Sequence, residues 1–237
     1  MNQLKHLGLI IDGNGRWGKL NASSRLEGYR AGLKALRDVI DFLALETEVE
    51  YLTVYAFSKE NQSRPEEEKK AIFKEIESFI DNHPENIAIS FIGSLDNLPK
   101  SIAEKIENFE NKDEYYDLAV NIALGYGGRD DIVNASLALF NEAIVSISSD
   151  ADASEIENIL SDIFTEENFS KKLSTRNLPP PDLIIRSGGE KRLSNFLLFE
   201  SAYSELYFID KLWPDVTRDD ILEALRDYYS RTRRFGR

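Results

Sequence analysis

Apolar residues gather in six short runs: 6–11 (HLGLII), 51–57 (YLTVYAF), 87–93 (IAISFIG), 117–124 (DLAVNIAL), 182–186 (DLIIR) and 205–209 (ELYFI). Several are almost continuously apolar. A strand with one face in water would alternate, whereas a parallel strand covered on both faces does not. Between the runs the pattern changes to a helical period, over 28–45, 66–82, 99–110, 128–147, 154–164 and 217–232. Leu33, Leu36, Ile40 and Leu43 stripe the first of these. Ile72, Phe73, Ile76, Phe79 and Ile80 form one apolar face of the second,. Thr217, with Asp220 three residues on, predicts the N-cap of the last,. Alternating strands and helices predict an α/β fold: a single domain over 1–237 with a mostly parallel sheet of about six strands, helices on its faces and right-handed crossovers,. The polar stretch 146–155 and the proline-stiffened 174–182 read as connections inside this pattern, not as domain boundaries.

Composition narrows the class. The 237 residues are 42% hydrophobic and include no cysteine, which excludes disulfides and thiolate metal sites,. No apolar run approaches the length of a membrane span, and Lys5-His6 lead into the first strand without a signal-peptide pattern,. A cytoplasmic protein is expected. The formal charge of −13 opposes nucleic-acid binding,. Arginines nevertheless cluster locally, with Arg231, Arg233, Arg234 and Arg237 near the end. On an acidic chain such clusters are candidate anion sites, or else a solvated tail.

The chemistry concentrates after the strands, where ligands collect in open α/β sheets. The first strand runs into Asp12-Gly13-Asn14-Gly15-Arg16-Trp17. Glycines let backbone N–H groups converge on an anion, and an arginine suits phosphate. Asp12 is the odd member, unless a divalent cation lies between carboxylate and phosphate. A tight turn capped by Asp12 explains the stretch equally well. After the second strand comes Ser58-Lys59-Glu60-Asn61-Gln62-Ser63-Arg64; after the fourth, Gly127-Gly128-Arg129-Asp130; after the fifth, Arg186-Ser187-Gly188-Gly189-Glu190-Lys191-Arg192. Four polar, arginine-bearing loops on one edge predict a phosphate site.

Together, "IDGNGRW" (11–17), "RLEGYRAG" (25–32), "LTVYAFSKENQSRP" (52–65), "VNIALGYGGRDDI" (120–132), "DLIIRSGGEKRLSNFLLFESAYSELYF" (182–208), "LWPD" (212–215) and "RRFG" (233–236) resemble the cis-prenyltransferase family, the undecaprenyl diphosphate synthase-like isoprenyl transferases. The resemblance runs nearly end to end. It implies a homodimeric fold with a hydrophobic product tunnel walled by the helix at 66–82. It also implies Mg²⁺-dependent condensation of isopentenyl diphosphate with an allylic diphosphate, commonly farnesyl diphosphate, each step making a cis double bond. A long product of the undecaprenyl type is expected; a short or medium one, or a non-catalytic partner subunit, is the alternative. Membrane contact would be peripheral, at product release.

Residue by residue, the resemblance implies that Asp12 handles Mg²⁺ at the departing diphosphate, with Glu205 a second metal carboxylate. Gly13, Asn14, Gly15, Arg16 and Arg25 would hold that diphosphate, with Trp17 and Tyr29 beside it. Arg186, Arg192, Leu193 and Ser194 would bind isopentenyl diphosphate, and Arg234-Phe235-Gly236 would reach that site across the dimer. Ser58 and Asn61, with Lys59, Glu60, Gln62 and Arg64, match the loop over the reacting carbons. An amide is a poor base, so Asn61 orients, and diphosphate or water takes the proton. Two diphosphates bring about six negative charges, which the arginines and one Mg²⁺ would balance. Tyr29 stands where the family usually has histidine and Gln62 where tryptophan is common, and "GKLNASS" after Trp17 lacks the usual basic-glycine pattern. Those departures bear on substrate preference.

Overall fold

A computed structural model describes residues 3–21, 24–83, 86–96, 98–109 and 116–232. Six parallel strands form one sheet in the order β3-β4-β2-β1-β5-β6. They are β1 (His6–Ile10), β2 (Tyr51–Ser58), β3 (Ile87–Ile92), β4 (Leu118–Tyr126), β5 (Leu183–Arg186) and β6 (Glu205–Phe208). The helices are α1 (Asn14–Asn21), α2 (Arg25–Glu46), α3 (Glu66–Asp81), α4 (Lys100–Glu107), α5 (Gly128–Ser146), α6 (Ala153–Ile163), α7 (Glu166–Ser170) and α8 (Arg218–Ser230). The single α/β domain with a parallel sheet is as the hydrophobic pattern predicts.

The core divides by strand parity, since successive side chains point to opposite faces. Leu7 and Leu9 of β1, Leu52 and Val54 of β2 and Leu183 and Ile185 of β5 join the apolar faces of α2, α3 and α8 in one large cluster. Ile10, Tyr55, Ala123 and Ile184 turn to the other face and meet Phe196 and Leu197. β1 is buried at all five positions, which explains its unbroken apolar run.

Register brings the strand ends level. Ile10 lies beside Tyr55 and Arg186, and Tyr55 beside Ala123. The β2–β4 pairing then slips on either side of Phe57, a disruption of the kind found beside active sites,. The segments leaving β1, β2, β4 and β5 therefore emerge at one edge.

Six elements depart from the hydrophobic pattern. The stretch after Asp12 is not an open glycine loop: the chain turns at Gly13 and α1 begins at Asn14, with Trp17 N–H donating to the Gly13 carbonyl at 2.8 Å. Gly13 has φ +112°, and a Cβ there would strike Leu212,. α2 begins at Arg25, before the predicted 28, putting Arg25 and Tyr29 on one helical face,. α7 and the 3₁₀ turns Lys59–Ser63, Glu200–Tyr203 and Trp213–Asp215 have too few residues to show a period.

Candidate active site

Asp12 follows the most central apolar strand, and its backbone is clamped. Its carbonyl accepts from Ser187 Oγ at 2.8 Å and from Trp213 N–H at 3.0 Å. Trp213 is buried and donates its indole N–H to the Gly32 carbonyl at 2.9 Å. The carboxylate is thus aimed over the strand ends. Its Oδ2 accepts from Arg186 Nη2 at 2.9 Å and its Oδ1 from Arg16 Nη2 at 3.2 Å. Arg186, only 4% exposed, also donates to Ser194 Oγ at 2.8 Å and to the Arg192 carbonyl. Among the described residues its buried Nε finds no partner,.

Because α1 starts at Asn14, the N–H groups of Asn14, Gly15 and Arg16 are first-turn donors, which a helix leaves without an intrahelical partner,. The anion cradle expected from a glycine nest is instead a helix N-terminus. The donors are the same; their alignment comes from the helix. A Cβ on Gly28 would collide with the Asn14 carbonyl, so that glycine lets α1 press onto α2.

A second polar knot sits where α2 meets α3. Glu68, 7% exposed, accepts from Tyr29 Oη at 2.5 Å, from Arg64 Nη1 at 2.6 Å and from Arg25. Arg64 also donates to Tyr29 Oη at 2.7 Å. Burial pushes the Glu68 pKa up, but the bonds from Tyr29 and Arg64 outweigh it and leave the carboxyl below its ordinary value. Burial first, then the bond to Glu68, drives the Tyr29 phenol upward. Tyr29 keeps its proton and donates to the carboxylate while accepting from Arg64, and Arg25 pairs with the same carboxylate directly.

The 3₁₀ turn 59–63 is capped reciprocally: Ser58 Oγ accepts from Asn61 N–H at 3.3 Å, and Asn61 Oδ1 accepts from Ser58 N–H at 3.2 Å. Lys59 pairs with Asp130 at 2.5 Å, and Asn195 Nδ2 donates to Glu60 Oε1 at 2.8 Å.

Between these groups opens a cavity of about 640 Å³. Its mouth is polar, with Asp12, Asn14, Ser58, Asn61, Arg129 and Arg186. Its body is mostly apolar, with Leu33, Leu36, Ile72, Ile76, Phe79 and Ile122. Tyr29, Glu60, Arg64 and Ser194 also line it.

Other residues singled out in the sequence lie elsewhere. Gly13, Gly15, Arg16 and Arg25 flank the mouth through the turn, helix end and ion pairs just described. Trp17 faces away and donates its indole N–H to Asp215 at 2.7 Å. Arg192 is exposed and pairs with Glu190 at 2.5 Å. Leu193 packs against the second-face cluster. Lys59 is held by Asp130, and Gln62 is half-buried outside the lining. Glu205 is not brought to Asp12 within one chain. It pairs across β5 with the level of Leu7, about 16 Å along the strands from Asp12,. There it accepts from Arg231 at 2.6 Å. The tail residues Arg233, Arg234, Phe235, Gly236 and Arg237 lie outside the described residues.

Arg129, in one of the four loops expected to hold phosphate, does line the cavity. Two further lining residues, Glu75 and Asn195, carry no such signal in the sequence. Asn195 holds the start of α5 by accepting from Arg129 N–H at 2.8 Å, in a segment of positive φ.

Comparison with known proteins points one way. The Prenyltransf family model, which describes undecaprenyl diphosphate synthases, matches residues 10–236. An isoprenyl transferase of Aquifex aeolicus is 38% identical over 98% of this chain and 96% of its own. One from Fusobacterium nucleatum is 41% identical over 98% and 95%. The crystal structure of lavandulyl diphosphate synthase from Lavandula x intermedia, in complex with dimethylallyl diphosphate, superposes with a TM-score of 0.88 at 30% identity, covering 99% of both chains.

Proposed function

The chain belongs to the undecaprenyl diphosphate synthase family of isoprenyl transferases and is a prenyl-transferring enzyme, and from that premise we propose that it condenses isopentenyl diphosphate with an allylic diphosphate in the cavity beside Asp12. One observation carries the reading. The cavity joins an arginine-rich mouth to an apolar body, and its substrates join a diphosphate to a hydrocarbon. The allylic partner is farnesyl diphosphate or a shorter homologue, and the product is a cis-polyprenyl diphosphate.

In the reaction, C4 of isopentenyl diphosphate bonds to C1 of the allylic substrate. The C1–O bond breaks, diphosphate leaves and C2 loses a proton. The α1 N-terminus, Arg16 and Arg25 receive the departing diphosphate. Arg186 and Ser194 hold isopentenyl diphosphate, with Arg129 reaching the same mouth. Asn61, locked by Ser58, orients the reacting carbons, and a diphosphate oxygen or water takes the proton. The apolar body draws the hydrocarbon out of water and away from the charged end.

Asp12 suits Mg²⁺. Among the described residues no group of three or more His, Cys, Asp or Glu could hold a metal. A lone carboxylate fits an ion that takes its remaining ligands from substrate phosphates and water. Bound there, Mg²⁺ neutralises charge on the leaving diphosphate. Glu205 can serve it only from a second copy of the chain, and the exposed apolar stripe of α5 supports such a homodimer. Among the described residues no helix is long and apolar enough to cross a membrane. A cytoplasmic enzyme with peripheral membrane contact agrees with this and with the absence of cysteine.

The test is incubation with labelled isopentenyl diphosphate, Mg²⁺ and dimethylallyl, geranyl or farnesyl diphosphate, followed by lipid extraction. Label should enter the lipid phase only with a primer and Mg²⁺. No extractable label with any primer would overturn the reading.

A further inference from the structure

The apolar body of the cavity contains one misfit. Glu75 of α3 lines it among Ile72, Ile76 and Phe79. Its side chain is 12% exposed, and among the described residues its one ion contact is Arg30 Nε at 3.9 Å. Arg30 is itself half-exposed and donates to Glu27 Oε1 at 2.9 Å. Among the described residues the Glu75 carboxylate receives no hydrogen bond short enough to offset its burial. By contrast, Glu68 is held by Tyr29, Arg64 and Arg25. Packing gives no reason for an acid at 75, since a leucine would fill the wall at no desolvation cost.

Depth gives it a meaning. Glu75 lies seven residues along α3 from Glu68, about 10 Å beyond the carboxylate that holds the lining residues Tyr29 and Arg64,. Phe79 is one turn deeper and still lines the cavity. The carboxylate thus stands part-way down a space otherwise shaped for hydrocarbon. We propose that Glu75 is a length-setting residue: it ends favourable hydrocarbon binding at its own depth, and so limits how long an allylic diphosphate the cavity accepts and extends. Up to that depth each added isoprene unit gains apolar burial. The next unit must strip water from the carboxylate without supplying a donor. The loosely held Arg30 does not offset that loss.

This rests on the prenyl-transfer reading, so the deciding measurement is binding, which needs no turnover. Calorimetric titration of dimethylallyl, geranyl, farnesyl and geranylgeranyl diphosphates into wild type should show affinity rising with length and then levelling or falling. Glu75→Leu should keep rising, with a gain of about tenfold or more confined to the longest members. Glu75→Gln, close to the native shape but uncharged, should lie between them and guards against misfolding of the leucine variant. Extracted products should lengthen in the same order. Parallel affinity ladders for wild type and both variants overturn the inference, even if the enzyme turns over normally. A shifted ladder without condensation sinks the functional reading and leaves Glu75 standing. Failure of every diphosphate to bind any of the three proteins overturns both.

Discussion

At the residue scale, Asp12 serves both chemistry and structure. From the sequence it is a loop carboxylate whose removal leaves the fold intact. In the structure it is the partner of Arg186, whose side chain is 5% exposed. Asp12→Ala should therefore cost stability as well, on the order of 2 kcal/mol, because it strands a buried charge. Asp12→Asn keeps an acceptor and separates the two effects. It should lose roughly 10²-fold or more in turnover while its melting temperature stays close to wild type. Wild-type turnover by that variant would remove Asp12 from the chemistry. His6 illustrates the reverse, a titratable residue with a purely structural duty. A carbonyl can only accept, so Nδ1–H donates to Pro179 O at 2.5 Å and neutral Nε2 accepts from Thr53 Oγ1 at 2.8 Å,. Burial lowers the His6 pKa to about 4, against weaker upward pulls from Pro179 and Asp182. The unfolded ring titrates near 6.5. Between these values the unfolded chain holds the extra proton, so stability is whole above about pH 6.5 and falls as pH drops toward 4, by about 3 kcal/mol. Denaturant unfolding at pH 7 and pH 4.5 should show this slope, and His6→Gln should flatten it. Equal slopes in the two proteins would assign the acid sensitivity to other groups.

At the element scale, α3 separates two phenylalanines that its sequence treats alike. Both fall on the apolar face between Ile72 and Ile80. Phe79 lines the cavity, whereas Phe73 packs on Phe57 with ring centroids 4.9 Å apart, outside the lining. Phe73→Ala should cost about 3–5 kcal/mol in stability and leave product lengths unchanged. Phe79→Ala should lengthen products, read by chromatography of the extracted prenols. Longer products from Phe73→Ala would mean that the ring closes the cavity floor indirectly. The same helix shows how far the pattern could be read. Amphipathic spacing gives the buried face of α3, but the share of that face that meets an empty volume depends on α2 opposite. Glu75 does not stand out in the sequence, because a charge beside an apolar face reads as solvated. α1 was hidden for a different reason. Two glycines and an asparagine have low helix propensity, and tertiary contact through Leu212 and Gly28 overrides it,. The strands were legible because burial on both faces leaves an unbroken apolar run.

At the scale of the whole molecule, strand order decides which residues can meet, and order is not written in hydrophobic period. The motifs around Asp12, Asn61 and Arg186 converge because β1 lies between β2 and β5. Glu205 fails to join them because β6 is parallel to β5 and starts level with Leu183. A motif's residues were thus readable, while their distance from Asp12 was not. This leaves the outer face of α5 as the feature that a single chain does not explain. Val133, Leu137, Phe140 and Ile144 recur at helical spacing and are each more than half exposed. Four such side chains in one stripe make a contiguous apolar patch of the kind that marks an interface. The acidic chain, at −13, would repel a second copy through much of its surface, so an uncharged stripe is where two copies can approach,. Leu137→Asp with Phe140→Asp puts charge in its middle. Ala135, Leu139 and Ala143 on the buried side are untouched, so the fold should hold. Sedimentation should show the wild type as a dimer and the double variant as a monomer with an unchanged far-ultraviolet spectrum. If Glu205 serves the metal from the neighbouring copy, the monomer should also lose most of its turnover while still binding an allylic diphosphate. Full activity in a proven monomer would show that each chain carries a complete site and that Glu205 belongs to its ion pair with Arg231.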